Sequence, residues 1–355
     1  MRIRRLEVWV VPMRVREPYA IAYEIVEDAT NVFLRLETDR FVGYGCAAPD
    51  AHVTGETVES VERILRETVE PRVVGENLFR WGLILEDLRL RLREHSSARA
   101  ALDMALLDLF GKSCGVPIWQ LLGGYRDSIE TSVTVGILPE AETVHAARKF
   151  VARGFRCLKL KGGLDVDDDV SRVLRVREAL GAGVELRFDA NQGYTFDDTV
   201  RFVDGARKAD LELIEQPTAA SETALLGRVT TAVDLPVMAD ESLKTTLDAF
   251  RLAEGELVDL VNVKVMKVGG LAVALQIDAV ARIGGIQTMV GCFDESEVGI
   301  AAGLAFALAR PNVAYADLDG HLDLIGDPAA GSLRLRDGVL LAPTAPGLGV
   351  AVDEA

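Results

Sequence analysis

Short apolar runs alternate with helical patterns through most of the chain, and this alternation limits the possible folds more than any other feature. The predicted strands are residues 131–135, 157–161, 185–189, 211–215, 236–240, 260–265, 287–291 and 314–318, with helical patterns between them, for example at 141–153, 166–180 and 271–281. Such an alternation is typical of a parallel sheet that is buried on both faces. Eight repeats over roughly 200 residues favour a (β/α)8-type barrel. An open doubly wound sheet is the alternative, but no Gly-x-Gly-x-x-Gly turn follows the first strand.

The first part of the chain is organised differently. Alternating residues predict strands at 6–11 and 32–37, and apolar residues at helical spacing predict helices at 58–69, 78–92 and 96–109. The polar and aromatic stretch at 17–31 is predicted to be a loop. We therefore expect an α+β domain at residues 1–124, a barrel at 125–320 and a C-terminal segment at 321–355 that returns to the first domain.

Charge and cysteine spacing exclude several classes of function. The 355-residue chain has a formal net charge of -16, which argues against nucleic acid and anionic membranes as partners. The four cysteines are far apart and lack Cys-x-x-Cys spacing, which argues against a disulfide framework or a zinc site. The sequence contains no apolar run of membrane-spanning length and no apolar signal core near residue 1. We therefore expect a cytoplasmic protein.

Charged residues stand at the ends of five successive predicted strands, about 25 residues apart. In chain order they are Lys161, Asp189, Glu215, Asp240 and Lys264. Because functional residues of a barrel lie at the carboxyl ends of its strands, these side chains are predicted to surround one mouth. Three neighbouring carboxylates would repel one another unless a cation joined them, and hard oxygen ligands suit Mg²⁺.

The two lysine strands flank the three carboxylate strands, so Lys161 and Lys264 are predicted to face each other across a substrate. Lys159 lies on the same strand face as Lys161, because side chains alternate along a strand. A metal that binds a substrate carboxylate can take up charge when the neighbouring carbon loses its proton. A lysine can act as the base in such a step.

These motifs resemble the enolase superfamily, in its muconate lactonizing enzyme subgroup. The resemblance rests on Lys159-Leu160-Lys161, Asp189-Ala190-Asn191, Glu215-Gln216-Pro217, Ala239-Asp240-Glu241-Ser242 and the run from Asn262 to Gly270. It implies a modified (β/α)7β barrel with an N-terminal α+β capping domain, and one Mg²⁺ per active site held by Asp189, Glu215 and Asp240. It also implies that Lys161 and Lys264 are the acid/base pair. Lys159, from its place on the same strand face as Lys161, is predicted to add positive charge beside the substrate carboxylate.

The segment Asp317-Leu318-Asp319 at the eighth strand resembles the Asp-x-Asp that binds the α-ammonium group in dipeptide epimerases. The resemblance therefore implies an isomerase that inverts the α-carbon of the C-terminal residue of a dipeptide. The reaction would be a two-base 1,1-proton transfer through a metal-stabilised enediolate. An N-acylamino acid racemase, an o-succinylbenzoate synthase or a cycloisomerase of the same subgroup is the alternative. A catalytically silent binding barrel is a more distant one.

Substrate side chains are expected to meet two loops of the capping domain and the end of the seventh barrel strand. The candidate residues are Tyr19, Tyr23, Glu24, Asp50 and Asp294. The sequence between Tyr19 and Asn31 contains no lysine or arginine that could pair with an acidic side chain. We therefore expect cationic or hydrophobic dipeptides to be favoured over acidic ones. The expected partners are the dipeptide and further copies of the chain in a homo-oligomer.

Overall fold

The computed structural model describes residues 1–22 and 25–354, so Tyr23, Glu24 and Ala355 lie outside the described residues. The N-terminal elements are β1 (Ile3–Ala20), β2 (Ile25–Thr38), β3 (Val42–Ala47), α1 (Val58–Ile64), α2 (Glu70–Val73), α3 (Trp81–Leu88), α4 (Ser96–Cys114) and α5 (Ile118–Leu121). A π-helical turn (Leu65–Val69) joins α1 to α2, and a 3₁₀ turn (Leu78–Arg80) precedes α3.

The following elements alternate as the sequence predicts. They are β4 (Ser128–Glu130), β5 (Val133–Val135), α6 (Glu140–Ala152), β6 (Cys157–Lys161), α7 (Val166–Leu180), β7 (Glu185–Asp189), α8 (Phe196–Ala206), β8 (Leu211–Glu215), α9 (Thr223–Ala232), β9 (Val237–Ala239), α10 (Thr246–Glu254), β10 (Leu260–Lys264), α11 (Val265–Val268), α12 (Leu271–Ile283), β11 (Gln287–Gly291), α13 (Glu297–Ala309) and β12 (Val313–Ala316). A 3₁₀ turn (Arg207–Ala209) follows α8, and β13 (Leu324–Ile325), β14 (Arg334–Arg336) and β15 (Val339–Leu341) end the chain.

Strands β5 to β12 form one parallel sheet in chain order. The first and last strands meet through a parallel bridge between Thr131 and Ala316, and the Ser132 amide donates a hydrogen bond to the Ala316 carbonyl at 3.0 Å. Within the described residues no helix follows β12, so the arrangement is a modified (β/α)7β barrel with a separate N-terminal α+β domain. The predicted fold class is confirmed.

The N-terminal domain packs on the barrel through α4, which is buried along most of its length. Gly43 and Gly45 let this helix approach β3, because a Cβ at Gly45 would lie 1.8 Å from the Ala101 carbonyl oxygen. Strand β1 also pairs with β13, and β15 pairs with β4. The helix α4 therefore lies between the N-terminal sheet and the barrel. One face packs on β3, and the opposite face contacts the barrel loops.

The predicted loop at 17–31 is wrong over most of its length, because β1 continues to Ala20 and β2 begins at Ile25. The two strands form a long antiparallel hairpin with a register shift between Arg14 and Tyr19. Backbone pairing, which does not depend on apolar alternation, extends these strands beyond their buried part. The predicted helix at 78–92 also ends early, at Leu88.

None of the helices in the described ranges combines the length and apolarity that a membrane crossing requires.

Candidate active site

Three of the five predicted strand-end residues lie side by side at one level of the barrel. Lys161 is the Cα partner of Asp189, and Asp189 is the Cα partner of Glu215. Asp240 directly follows β9, and Lys264 is the last residue of β10, the next strand of the sheet. All five side chains are buried. Parallel pairing of neighbouring strands therefore brings together the residues that their sequence spacing predicts to meet.

Two of the carboxylates are paired with the flanking lysines. The Lys161 ammonium donates a hydrogen bond to Asp189 Oδ2 at 2.7 Å, and the Lys264 ammonium lies 2.8 Å from Asp240 Oδ2. The Asp240 carboxylate and its main-chain carbonyl also accept hydrogen bonds from Lys267, which is completely buried. Burial alone would raise the pKa of Asp240, but the ammonium groups of Lys264 and Lys267 hold it well below its usual range.

Glu215, the middle carboxylate, is compensated least. Its Oε1 accepts a hydrogen bond from the Asn262 amide at 2.7 Å, but no donor in the described part of the chain is hydrogen-bonded to Oε2. The nearest ammonium, that of Lys159, lies 3.6 Å from Oε2. Burial and the neighbouring Asp189 raise the pKa of Glu215 to about 8. Glu215 is therefore compensated less than Asp189 and Asp240, which each lie within 3 Å of an ammonium group.

Lys264 faces the cavity from the side opposite to Lys161, with the three carboxylate strands between them. Its Nζ lies 5.1 Å from the centre of the Phe293 ring. Burial disfavours the charged amine, but Asp240 and Glu215 outweigh it and raise the pKa of Lys264 well above its ordinary value. The two lysines line one cavity of about 770 Å³ between the barrel mouth and the hairpin of β1 and β2.

Asp317 directly follows β12, Asp319 lies two residues further on, and both line the same cavity. Asp317 accepts hydrogen bonds from the Lys159 ammonium and from the Ser132 hydroxyl, the latter at 2.6 Å. Asp319 Oδ2 accepts a hydrogen bond from the Thr134 amide at 2.6 Å. Burial and the nearby Asp317 raise the pKa of Asp319 to about 6. The structure thus places this pair across the closing seam of the barrel, next to Lys159.

The predicted side-chain contacts fall into three groups. Tyr19 and Asp294 line the cavity, and the Tyr19 hydroxyl donates a hydrogen bond to Asp294 Oδ2 at 2.8 Å. Asp50 also lines the cavity, but its Oδ1 accepts hydrogen bonds from the His52 and Val53 amides and so caps its own loop. Tyr23 and Glu24 lie outside the described residues.

Two motif residues to which the sequence assigned no role connect the strand ends. Gln216 Oε1 accepts hydrogen bonds from the Asp240 amide at 2.9 Å and the Ser242 amide at 3.0 Å, which ties the end of β8 to the end of β9. Its φ of 33° lies in the left-handed region, where a residue other than glycine is strained. Asn191, with φ of 41°, donates its main-chain amide to Asp189 Oδ1 at 2.9 Å. Both residues belong to the motifs Asp189-Ala190-Asn191 and Glu215-Gln216-Pro217, and this membership is the sequence signal that points to them.

Comparison with known proteins identifies the family. Residues 142–355 match the family described as enolase C-terminal domain-like, and residues 5–123 match the mandelate racemase/muconate lactonizing enzyme N-terminal domain. The chain belongs to the mandelate racemase/muconate lactonizing enzyme group of the enolase superfamily, as the sequence motifs predict.

Its relatives include dipeptide epimerases with different substrates. An L-Lys-D/L-Arg epimerase from Methylococcus capsulatus is 40% identical over 99% of this chain and 99% of the relative. A substrate-liganded structure of the L-Ala-D/L-Glu epimerase from Bacillus subtilis has 35% identity and a TM-score of 0.97, over 99% of both chains. The dipeptide epimerase from Enterococcus faecalis V583, solved with Mg and L-Leu-L-Tyr, has 34% identity and a TM-score of 0.96, over 99% of this chain and 100% of the other.

Proposed function

We propose that this protein is a Mg²⁺-dependent dipeptide epimerase that inverts the α-carbon of the C-terminal residue. Lys161 and Lys264 are the acid/base pair. One takes the α-proton from one face of the substrate, and the other delivers a proton to the opposite face. Support comes from their positions on β6 and β10, on either side of the carboxylate strands and within one cavity. The predicted cytoplasmic location and homo-oligomeric state stay sequence-based predictions.

Asp189, Glu215 and Asp240 would hold the metal ion. The donor set fits, because all three are hard carboxylate ligands, and Glu215 Oε2 is buried without a hydrogen bond from the described residues. When bound there, Mg²⁺ would supply positive charge for the substrate carboxylate and for the charge left when the α-proton departs. Asn262 and Gln216 orient the ends of β8 and β9, and Lys159 adds a fixed cation between this cluster and Asp317.

The observation that carries the choice among subgroup reactions is the placement of Asp317 and Asp319. Both carboxylates are held at the cavity wall by donors on or near β5 and β6. An α-ammonium group of an N-terminal residue would be matched by these two carboxylates, whereas an N-acyl group carries no positive charge to pair with them. The site therefore supports epimerisation of dipeptides better than racemisation of N-acylated amino acids.

A screen of dipeptides in D₂O tests this function. The protein with Mg²⁺ is expected to introduce deuterium at the α-carbon of the C-terminal residue and to form the second epimer, as measured by mass spectrometry after chiral separation. The matched control is the same dipeptide with an acetylated amino group, which is expected to react at least ~10-fold more slowly because its ammonium is lost. Faster turnover of N-acylated substrates would contradict the proposal.

Substrate preference follows from the charges around the cavity. Among its described lining residues, the side chains with a full positive charge are Lys159, Lys161 and Lys264, which already contact carboxylates. Carboxylates outside the strand-end cluster also line the cavity, at Glu17, Glu27, Asp28, Asp50, Asp294 and Asp323. An acidic substrate side chain would meet repulsion here, so we propose that cationic or hydrophobic dipeptides are preferred.

The Asp294→Asn variant tests this preference. We expect kcat/KM for Lys-Arg to fall about tenfold and that for Leu-Tyr to change little, because a hydrogen bond to a charged group stabilises by roughly 1.5–3 kcal/mol. Ala-Glu should be the poorest of the three substrates for the wild-type protein. Asp234→Asn, which removes the same charge at a surface position outside the cavity lining, is the matched control. A wild-type preference for Ala-Glu would refute the proposed selectivity.

A further inference from the structure

The turn that follows Lys264 is held by the N-terminal domain. The short helix α11 begins directly after Lys264 and ends at Gly269, where φ is 90°. Arg99 of α4 donates hydrogen bonds to the Val268 carbonyl at 2.5 Å and to the Gly269 carbonyl at 3.1 Å. These carbonyls end a helix and have no partner within it, so the guanidinium supplies the bonds they lack.

A second contact from the same helix fixes the far side of this turn. Asp103, one helical turn after Arg99, accepts hydrogen bonds from the Leu271 amide at 2.7 Å and the Ala272 amide at 3.3 Å, and so caps the start of α12. The approach is close, because a Cβ at Gly269 would lie 2.2 Å from the Arg99 guanidinium. The chain from Lys264 to α12 is therefore clamped from outside the barrel.

The turn that follows Lys161 is held differently, by the barrel alone. Arg172 of α7 donates a hydrogen bond to the Lys161 carbonyl at 2.8 Å and forms a buried ion pair with Asp169. Asp169 Oδ2 accepts hydrogen bonds from the Gly163 amide at 2.8 Å and from the Tyr194 hydroxyl at 2.5 Å. This network joins the end of β6 to the loop after β7. No residue of α4 takes part in these hydrogen bonds.

We propose that the two lysines are positioned by separate networks, Lys264 by Arg99 and Asp103 of the N-terminal domain and Lys161 by Asp169, Arg172 and Tyr194 of the barrel. This inference rests on the proposed function, in which each lysine deprotonates one epimer. Hydrogen bonds to the backbone next to a reacting side chain fix its distance from the substrate, and a small displacement slows proton transfer. Disturbing one network should therefore slow the removal of the α-proton from one epimer only.

The rates of α-proton exchange from the two epimers distinguish a positioning role of these residues from a general loss of structure. A lysine that still reaches its face of the α-carbon can remove the proton and return a deuteron there, so its epimer exchanges without inversion. The displaced lysine cannot start the reaction from the other epimer. Inversion needs both lysines, so the rate of inversion should fall when either network is disturbed. A loss of stability or of metal binding would lower exchange from both epimers equally.

The experiment uses the full-length protein with Mg²⁺ in D₂O and the separate L,L and L,D forms of Lys-Arg or Leu-Tyr, whichever the wild type epimerises faster. Arg99→Gln is expected to lower exchange of the epimer that depends on Lys264 by roughly 10- to 100-fold, with little change for the other. Tyr194→Phe is expected to do the opposite. The Lys161→Ala and Lys264→Ala variants identify which epimer depends on which lysine. Arg93→Gln and Tyr125→Phe, at exposed positions, are the matched controls.

The outcomes are distinguishable. Opposite selectivity of Arg99→Gln and Tyr194→Phe supports the proposal, and an equal loss from both epimers in either variant overturns it. If Arg99→Gln does not fold, Arg99→Lys keeps the charge with a single donor group and is expected to show the same selectivity to a smaller extent. A wild-type protein that exchanges neither epimer overturns the proposed function, and the positioning roles fall with it.

Discussion

Lys264→Ala is expected to lose epimerase activity by about 10³-fold or more while still exchanging the α-proton of one epimer with solvent. The intact Lys161 keeps its place on β6 beside Asp189, and the remaining Lys267 still compensates Asp240. Lys161→Ala is expected to show the same loss of activity and exchange of the other epimer. Initial rates from each epimer, measured by chiral separation and mass spectrometry, give both quantities at once.

The control for these variants is Lys208→Ala. It removes an exposed lysine in the 3₁₀ turn that follows α8 and is expected to retain the parent rate. Epimerisation by Lys264→Ala at the parent rate would require a one-base mechanism. Loss of exchange from both epimers in a folded Lys264→Ala variant would also contradict the assignment of one lysine to each epimer.

Replacing a proposed metal ligand is expected to have different consequences for stability at Glu215 and at Asp240. Asp240→Asn leaves the buried ammonium groups of Lys264 and Lys267 without their shared carboxylate, and should lower the free energy of unfolding by about 3–5 kcal/mol. Glu215→Gln keeps an acceptor for Asn262 and removes the least compensated charge, so in the presence of a chelator this variant should be at least as stable as the wild type.

Both substitutions are nevertheless expected to weaken Mg²⁺ binding and turnover together. Urea unfolding in chelator measures the stability difference, and calorimetric titration with Mg²⁺ measures binding. Chelation of the wild-type protein should abolish its activity, and added Mg²⁺ should restore it. Full activity after complete removal of the metal, or Mg²⁺ binding by Glu215→Gln at wild-type affinity, would show that these carboxylates are not the ligands.

The barrel could be predicted from sequence because its strands are short apolar runs with breaks at both ends. The bounds of β6, β7, β8 and β11 coincide with the predicted ones, so the residues at the ends of the first three are also placed correctly. The outer part of the β1–β2 hairpin, beyond the predicted strands at 6–11 and 32–37, carries no such signal. Most of its side chains are exposed, and it is held by backbone pairing, which does not depend on apolar alternation.

The residues that orient the site could not be found by the same reasoning. Lys267 and Arg172 bind main-chain carbonyls, and a carbonyl leaves no trace in the sequence that would identify its partner. Arg99 is far from Gly269 in the chain and meets it only because α4 packs on the barrel. Predicting the Arg99 contact requires knowledge of how the two domains are placed relative to each other. Predicting the strand-end residues requires only the length of the strand–helix repeat within the barrel.

The hydrogen bond between Tyr19 and Asp294 joins a strand of the N-terminal domain to the loop after the seventh barrel strand. Asn31 strengthens this connection, because its side chain bonds both the Asp294 carbonyl at 3.3 Å and the Ser296 amide at 2.9 Å. This wall of the cavity is therefore built from both domains. Recombination that exchanged the barrel between two members of the family would separate these partners, so the evolution of a new substrate preference at this wall requires matched substitutions in both domains.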